Sequence, residues 1–163
     1  MKKLYLVRHA KSSWNFEQLD DFNRPVGKRG RRDLRKMGEF VGSQVKRPDL
    51  IISSTASRAF YTALFFADYW KYPEEDMIIS DVLYHADVQQ FKAVITEIGP
   101  FDTVAVFAHN PGLTMLHNHL CDDFIDNIPT SGISGLSFDI QNWSDLGEKR
   151  GKSLFFHVPK ELN

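Results

Sequence analysis

The chain has one cysteine in 163 residues, so Cys121 has no partner for an intrachain disulfide and cannot build a multi-cysteine zinc or iron–sulfur site. A reducing compartment, the cytoplasm, is the expected setting. Long apolar runs are missing as well. Met1-Lys2-Lys3 is followed by only four apolar residues before Arg8, too few for the core of a signal peptide, and no uninterrupted stretch approaches the ~20 residues that cross a bilayer. No membrane partner is expected. The third absence is a field of one sign: Lys plus Arg number 20 against 21 Asp plus Glu, a formal net charge of -1. Nothing in that total argues for nucleic acid, and the Lys28-Arg29-Gly30-Arg31-Arg32 cluster is expected to be a solvated helical turn. Any anion site has to be local. With 42% hydrophobic residues, 25% charged residues and 13 Phe, the chain fits one globular domain over residues 1–163 that buries about two thirds of its unfolded surface.

Leu4-Tyr5-Leu6-Val7 reads as an inner strand of a parallel sheet, covered on both faces, and it runs directly into Arg8-His9. A polar segment follows at 10–26, rich in turn formers and long for a loop, which makes it a candidate lid. Leu34, Met37, Phe40, Val41 and Val45 recur at helical spacing from Lys28 to about Lys46. Pro48 ends that helix, and Asp49 to Ser53 reads as a second buried strand. Ser54 or Thr55 then offers an N-cap for a helix reaching about Trp70. Residues 77–79 suggest a third short strand, Val88 to Ile98 a helix stopped by Gly99-Pro100, and Thr103 to Ala108 a fourth strand. Asn110 can cap a helix over about Gly112 to Cys121, with Pro111 at its first position. Two strand-like segments at 135–140 and 153–158 have no helix pattern between them and suggest an antiparallel pair. The expected fold is a three-layer α/β/α sandwich with a mostly parallel sheet and antiparallel pairing among the C-terminal strands.

Three strands thus end in chemistry-bearing residues: Arg8-His9, Ser53 through Arg58, and His109-Asn110. Parallel strands put those ends on one edge, where open α/β sheets bind ligands, and the helix N-termini there add to two guanidinium groups and two imidazoles. Such a pocket suits a multiply charged anion, phosphate above all. A neutral imidazole whose other nitrogen donates to a carbonyl can act as nucleophile.

Leu-Val-Arg-His-Ala at the N-terminus, Ser53-x-x-x-x-Arg58-Ala59 and His109-Asn110-Pro111-Gly112-Leu113 resemble the histidine phosphatase superfamily, the phosphoglycerate mutase-like proteins. Arg8-His9-Ala10-Lys11-Ser12-Ser13-Trp14, Asp21-Phe22-Asn23-Arg24-Pro25 with Lys28-Arg29-Gly30, and Pro129-Thr130-Ser131-Gly132 resemble its small SixA-type phosphohistidine phosphatase branch. The likeness extends to Trp143-Ser144-Asp145-Leu146-Gly147 and to Phe155 through Lys160. It implies that His9 accepts the phosphoryl group, that Arg8, Arg58 and His109 clamp it with Arg24 joining from the loop, and that Asn110 lies at the binding site. No cofactor or metal is implied. The expected substrate is a phosphohistidine on a protein, with a small phosphorylated molecule as the alternative and a non-catalytic phosphate-binding module as the rival from another class.

The general acid is less defined. Larger members of the superfamily place a Glu where this chain has Asp81; Asp81, His85 or no acid at all can fill the role, and a loop-capping Asp is the plain reading. Gly27 stands where relatives tend to have a side-chain cap. Trp14 and Phe16 either stack on substrate or tie the loop to the body, and Thr130-Ser131 either reaches the pocket rim or forms a turn. His117 and His119, two apart on a helix, face different ways and cannot chelate one ion; they, His157 and Cys121 are expected to stay out of the site.

Overall fold

The structure, a computed structural model, describes residues 1–162. Its strands are β1 (Lys2–Arg8), β2 (Leu50–Ser54), β3 (Ile78–Ser80), β4 (Thr103–Ala108), β5 (Ile133–Phe138) and β6 (Lys152–His157). Its α-helices are α1 (Lys28–Gln44), α2 (Ser57–Trp70), α3 (Val88–Thr96) and α4 (Gly112–Leu120). One six-stranded sheet runs in the order β3-β2-β4-β1-β5-β6. The first four are mutually parallel; β5 joins β1 and β6 joins β5 antiparallel.

Side chains along β1 alternate between two cores, as a pleated strand requires. Tyr5 and Val7 face α1 and α2, where Leu34, Met37, Val41, Phe66 and Trp70 are buried against them. Leu4 and Leu6 face the other way, toward Phe91 and Ile95 of α3 and Leu113 and Leu116 of α4. The result is the expected three-layer α/β/α sandwich, whose continuous apolar runs reflect a sheet covered on both faces.

Element boundaries depart from expectation at the helix starts. α2 begins at Ser57 with Ala56 in the N-cap position and no side-chain cap; Ser54 lies too early in the chain, its hydroxyl accepting from the Ala56 N–H at 3.3 Å and meeting His109 Nε2 at 2.8 Å. α4 begins at Gly112 as expected, but with Pro111 rather than Asn110 as its N-cap residue. Asn110 still serves that end, its Oδ1 accepting from the Thr114 N–H at 3.2 Å and the Thr114 hydroxyl at 2.9 Å. Gly27 does cap α1 without a side-chain bond. Of the paired imidazoles on α4, His119 is exposed while His117 is fully buried; Nδ1 of His117 meets the Ser134 hydroxyl and Nε2 the Asp123 carbonyl, both at 2.8 Å.

Register assembles one edge of the sheet. Arg8 lies opposite Ala108, and Ser53 opposite Phe107, so His9, His109 and Ser54 emerge side by side. β5, running the other way, brings Ser131 to the same place, its N–H donating to the carbonyls of Arg8 (3.1 Å) and His9 (3.2 Å).

α4 approaches the segment that forms the wall of this edge very closely. A Cβ on Gly112 would sit 2.1 Å from the Ala86 carbonyl oxygen, so Gly112→Ala must push that backbone away. The expected cost is about 1–3 kcal/mol, read as a lower urea midpoint at unchanged m-value.

Candidate active site

His9 is 9% exposed and points its ring from the end of β1. Its Nδ1 lies 2.7 Å from the Ala10 carbonyl. A carbonyl only accepts, so Nδ1 carries the proton and Nε2 keeps its lone pair. Arg58 Nε stands 3.4 Å from that Nε2, and the His109 ring centre is 5.1 Å from the His9 ring centre. Burial, with the Arg58, Arg8 and Arg24 charges acting in the same direction and the Ala10 bond against it, lowers the His9 pKa to about 3. Burial and the neighbouring His9, Arg58 and His85 lower that of His109 to about 3. Both imidazoles are therefore neutral near pH 7.

Arg58, buried in the first turn of α2, donates Nη2 to Asp21 Oδ2 at 2.9 Å and Nη1 to the Asp21 carbonyl. Arg24 donates Nη1 to Asp21 Oδ1 at 2.9 Å and further bonds to Ser12 and to the Ser13 carbonyl. The Tyr84 hydroxyl donates to Asp21 Oδ2 at 2.8 Å, and His85 Nε2 lies 3.6 Å from the same oxygen. Burial alone would raise the Asp21 pKa, but the bonds from Tyr84, Arg58 and Arg24 outweigh it and hold the carboxyl at about 2. Trp14 lies flat over Arg24, the guanidinium carbon 3.2 Å from its ring centre, so its contact is with the loop that carries Arg24. Arg8 donates Nη1 to the Ile128 carbonyl at 2.9 Å.

Four buried side-chain polar atoms find no partner among the described residues: Arg8 Nε, Thr55 Oγ1, His109 Nδ1 and Ser131 Oγ. All four follow or precede the strand ends of this one edge. Native interiors rarely leave such groups unpaired, each costing about 1–3 kcal/mol, so their convergence marks a place built to receive a polar ligand.

The pattern of the histidine phosphatase superfamily (branch 1) matches residues 4–93, which include β1, α2 and the turn bearing His85. The chain belongs to this superfamily. An uncharacterized protein of Mycobacterium leprae is 26% identical over 170 residues, covering 94% of this chain and 100% of that one. An uncharacterized chloroplastic protein of Arabidopsis thaliana is 42% identical over 57 residues, 35% of this chain and 26% of that protein, so this match spans about a quarter of that relative. Among solved structures, a candidate phosphohistidine phosphatase SixA from Agrobacterium tumefaciens has a TM-score of 0.78 at 25% identity, over 97% of this chain and 98% of that one. A protein histidine phosphatase SixA complexed with tungstate has a TM-score of 0.82 at 21% identity, over 99% of both chains. The fold is the compact SixA type, matched end to end, and superfamily membership with these neighbours supports a phosphatase.

The residues singled out from sequence divide accordingly. The structure brings Arg8, His9, Arg58 and His109 to one pocket, with Arg24 joined to it through Asp21. Asp81 opens a short 3-10 turn after β3, exposed, and its carboxylate bonds to none of the pocket residues. Asn110 spends its amide on Asn127 Oδ1 (2.7 Å) and the Ile128 carbonyl (2.9 Å), and its Oδ1 on Thr114. It braces the loop that receives Arg8. Sequence reasoning missed Asp21, Ser12 and Tyr84 as members of the site, and gave Ser54 and Thr55, though within the expected strand-end segment, only a capping role; Asp21 and Ser12 lay within the matching motifs, but nothing in their spacing told that they face inward. Among the described residues, no group of three or more His, Cys, Asp or Glu could hold a metal ion.

His9 and His109 both have pKa values depressed below that of an unfolded imidazole, so the unfolded chain binds more protons as pH falls through 6.5 toward 3. Their contribution is complete above about pH 6.5 and is lost on the acid side. His109→Asn should flatten the decline of unfolding free energy between pH 6.5 and 4, measured by urea titrations at a series of pH values.

Proposed function

We propose that this protein is a metal-independent phosphohistidine phosphatase that works through a phosphohistidine on His9. A neutral His9 whose Nδ1 is held by the Ala10 carbonyl, with Arg58 Nε 3.4 Å from its Nε2 and the His109 ring centre 5.1 Å away, is the observation that carries it. An incoming phosphoryl group is a dianion with three oxygens to be matched; Arg8, Arg58 and His109, with the Ser131 hydroxyl, are the donors available to match them. The guanidinium groups here supply the charge neutralisation, the neutral His109 can add a hydrogen bond, and Arg24 holds Asp21 in place from the loop.

In the first step the His9 Nε2 lone pair forms a bond to phosphorus while the bond to the leaving nitrogen breaks in line. The Ala10 carbonyl, already bonded to Nδ1–H, stabilises the positive charge that grows on the ring. In the second step a water oxygen bonds to phosphorus, the P–Nε2 bond breaks, and inorganic phosphate leaves with His9 neutral again. The leaving group takes its proton from His85, which later accepts one from the attacking water. His85 suits this better than Asp81: its backbone is in the left-handed region (φ 57°), which turns the ring to the mouth of the pocket, 5.9 Å from the His109 ring.

The phosphohistidine assignment rests on the leaving-group side. The cleft next to His109, bounded by His85, Ala86, Pro111 and Met115, measures about 160 Å³, below the ~300–1,000 Å³ of ordinary small-molecule pockets. Its size suits a small ring protruding from a larger body. The solved relatives named for phosphohistidine share this compact build.

His9→Ala should abolish turnover and the acid-labile phosphate that a single turnover leaves on the wild-type chain; undiminished turnover would end the proposal. Arg58→Ala should cost about a hundredfold to a thousandfold in kcat/KM. His85→Gln should slow alkyl phosphomonoesters by about a hundredfold or more while sparing p-nitrophenyl phosphate, whose leaving group needs no proton. An equal loss on both would remove His85 from the acid role. Higher kcat/KM on glucose 6-phosphate or AMP than on a histidine-phosphorylated protein would replace the substrate class and keep the chemistry.

A further inference from the structure

α1 holds six of the 20 cations, Lys28, Arg29, Arg31, Arg32, Arg35 and Lys36, against two of the 21 acids. The remainder of the chain is acidic in balance, so positive charge is concentrated on one helix. Little of it is neutralised internally. Arg29 lies 3.6 Å from Asp33; Arg31 turns to the Val26 carbonyl and Lys36 to the Leu162 carbonyl. Lys28, Arg32 and Arg35 have no ion-pair or hydrogen-bond partner among the described residues. Like charges at i, i+3 and i, i+4, such as Lys28/Arg32, Arg31/Arg35 and Arg32/Lys36, cost the helix a few tenths of a kcal/mol each. Lys28, Arg32 and Arg35 gain no offsetting ion pair or hydrogen bond among the described residues.

Beside α1 runs a groove of about 550 Å³, lined by Arg29, Arg32, Asp33, Lys36 and Lys160 together with apolar Pro129. It leads to the site. Thr130, also on the groove, is followed by Ser131, whose N–H bonds to the Arg8 and His9 carbonyls, and two residues of chain span at most about 7 Å. The groove is therefore within about a Debye length of the catalytic edge at physiological salt.

We propose that this groove is a docking surface for the acidic face of a phosphoprotein substrate, seating it so that its phosphohistidine reaches His9. The proposal rests on the phosphohistidine reading above and names what that reading lacks, a source of partner selectivity in a pocket too small to supply one. A protein fits better than a nucleic acid. A local acidic patch matches a local basic groove, whereas a long, uniformly charged strand would run on over a chain that is otherwise acidic in balance.

The test uses the full chain carrying Arg32→Glu and Lys160→Glu, both exposed, with thermal melts to verify folding. Three substrates are compared at several salt concentrations: an acidic protein phosphorylated on histidine, a basic one, and free phosphohistidine. The double variant should lose about tenfold or more in kcat/KM on the acidic protein, through KM and with a flatter salt dependence, should gain on the basic protein, and should keep its rate on free phosphohistidine. Equal kcat/KM of wild type and variant on the acidic protein would overturn the docking proposal and leave the catalytic reading standing. Wild type that hydrolyses free phosphohistidine but neither protein would overturn the protein-substrate reading and the docking with it. A variant that loses binding to a DNA duplex at physiological salt yet keeps protein turnover would reassign the groove to nucleic acid.

Discussion

Parallel pairing of β1 with β4, in the register that sets Arg8 opposite Ala108, determines where Arg8 and the two imidazoles of the pocket end up. The next residues along the two strands are His9 and His109, and this register sets their rings 5.1 Å apart. β2 adds Ser54 on the far side of β4, and β5, entering antiparallel beside β1, adds Ser131. A slip of one residue in any of these ladders would turn an imidazole into a core made of Leu and Phe and bring an apolar side chain to the edge. The two cores that flank the sheet resist such slips, since each β1 residue from Leu4 to Val7 is committed to one side.

Electrostatics completes what register begins. Arg58 and Arg24 are buried cations, 4% and 7% exposed, and such cations require a partner. Asp21 serves both, with Tyr84 directing a third donor to the same carboxylate. One ionised carboxyl thus orients two guanidinium groups while the imidazoles stay neutral. An edge holding three arginines and two charged histidines would be far harder to bury; neutral rings are what make the cluster compatible with a folded interior. The same neutrality leaves a lone pair on His9.

Much of this was legible in sequence because it rests on local pattern. Apolar runs ending in Arg8-His9 and in His109 marked both strands and the edge to which they point, and helical spacing located α1 through its buried stripe. What was not legible depends on where separate segments meet. Ser54 reads as a helix cap, yet α2 starts after Ala56 and the Ser54 hydroxyl is shared between the Ala56 N–H and His109. Asn110 reads as a pocket residue and does line the cleft beside His109, but its side-chain amide is spent on the loop at 127–128. Asp21 is one of two adjacent aspartates in a loop, and only the path of that loop across α2 decides that it, and not Asp20, meets Arg58. The basic residues of α1 appeared as a solvated turn because a balanced total hides how unevenly charge is distributed among elements.

The acid problem bears on substrate more than any binding contact does. Asp21, the carboxyl nearest the rings, is held ionised by its three donors down to about pH 2, so it has no proton to give. Asp81 bonds to none of the pocket groups. On the proposed reading, the imidazole at the mouth, His85, is the proton source. A site so equipped handles poorly an alkoxide leaving group, which needs a strong, well-placed acid, but it suits transfer between imidazoles. There the bond broken and the bond formed are of one kind, the first step lies near balance, and the departing nitrogen is basic enough to take a proton from a histidine or from water. On the proposed reading, the missing carboxylic acid is therefore a property of the substrate class, and a phosphoramidate is what these residues are best able to process.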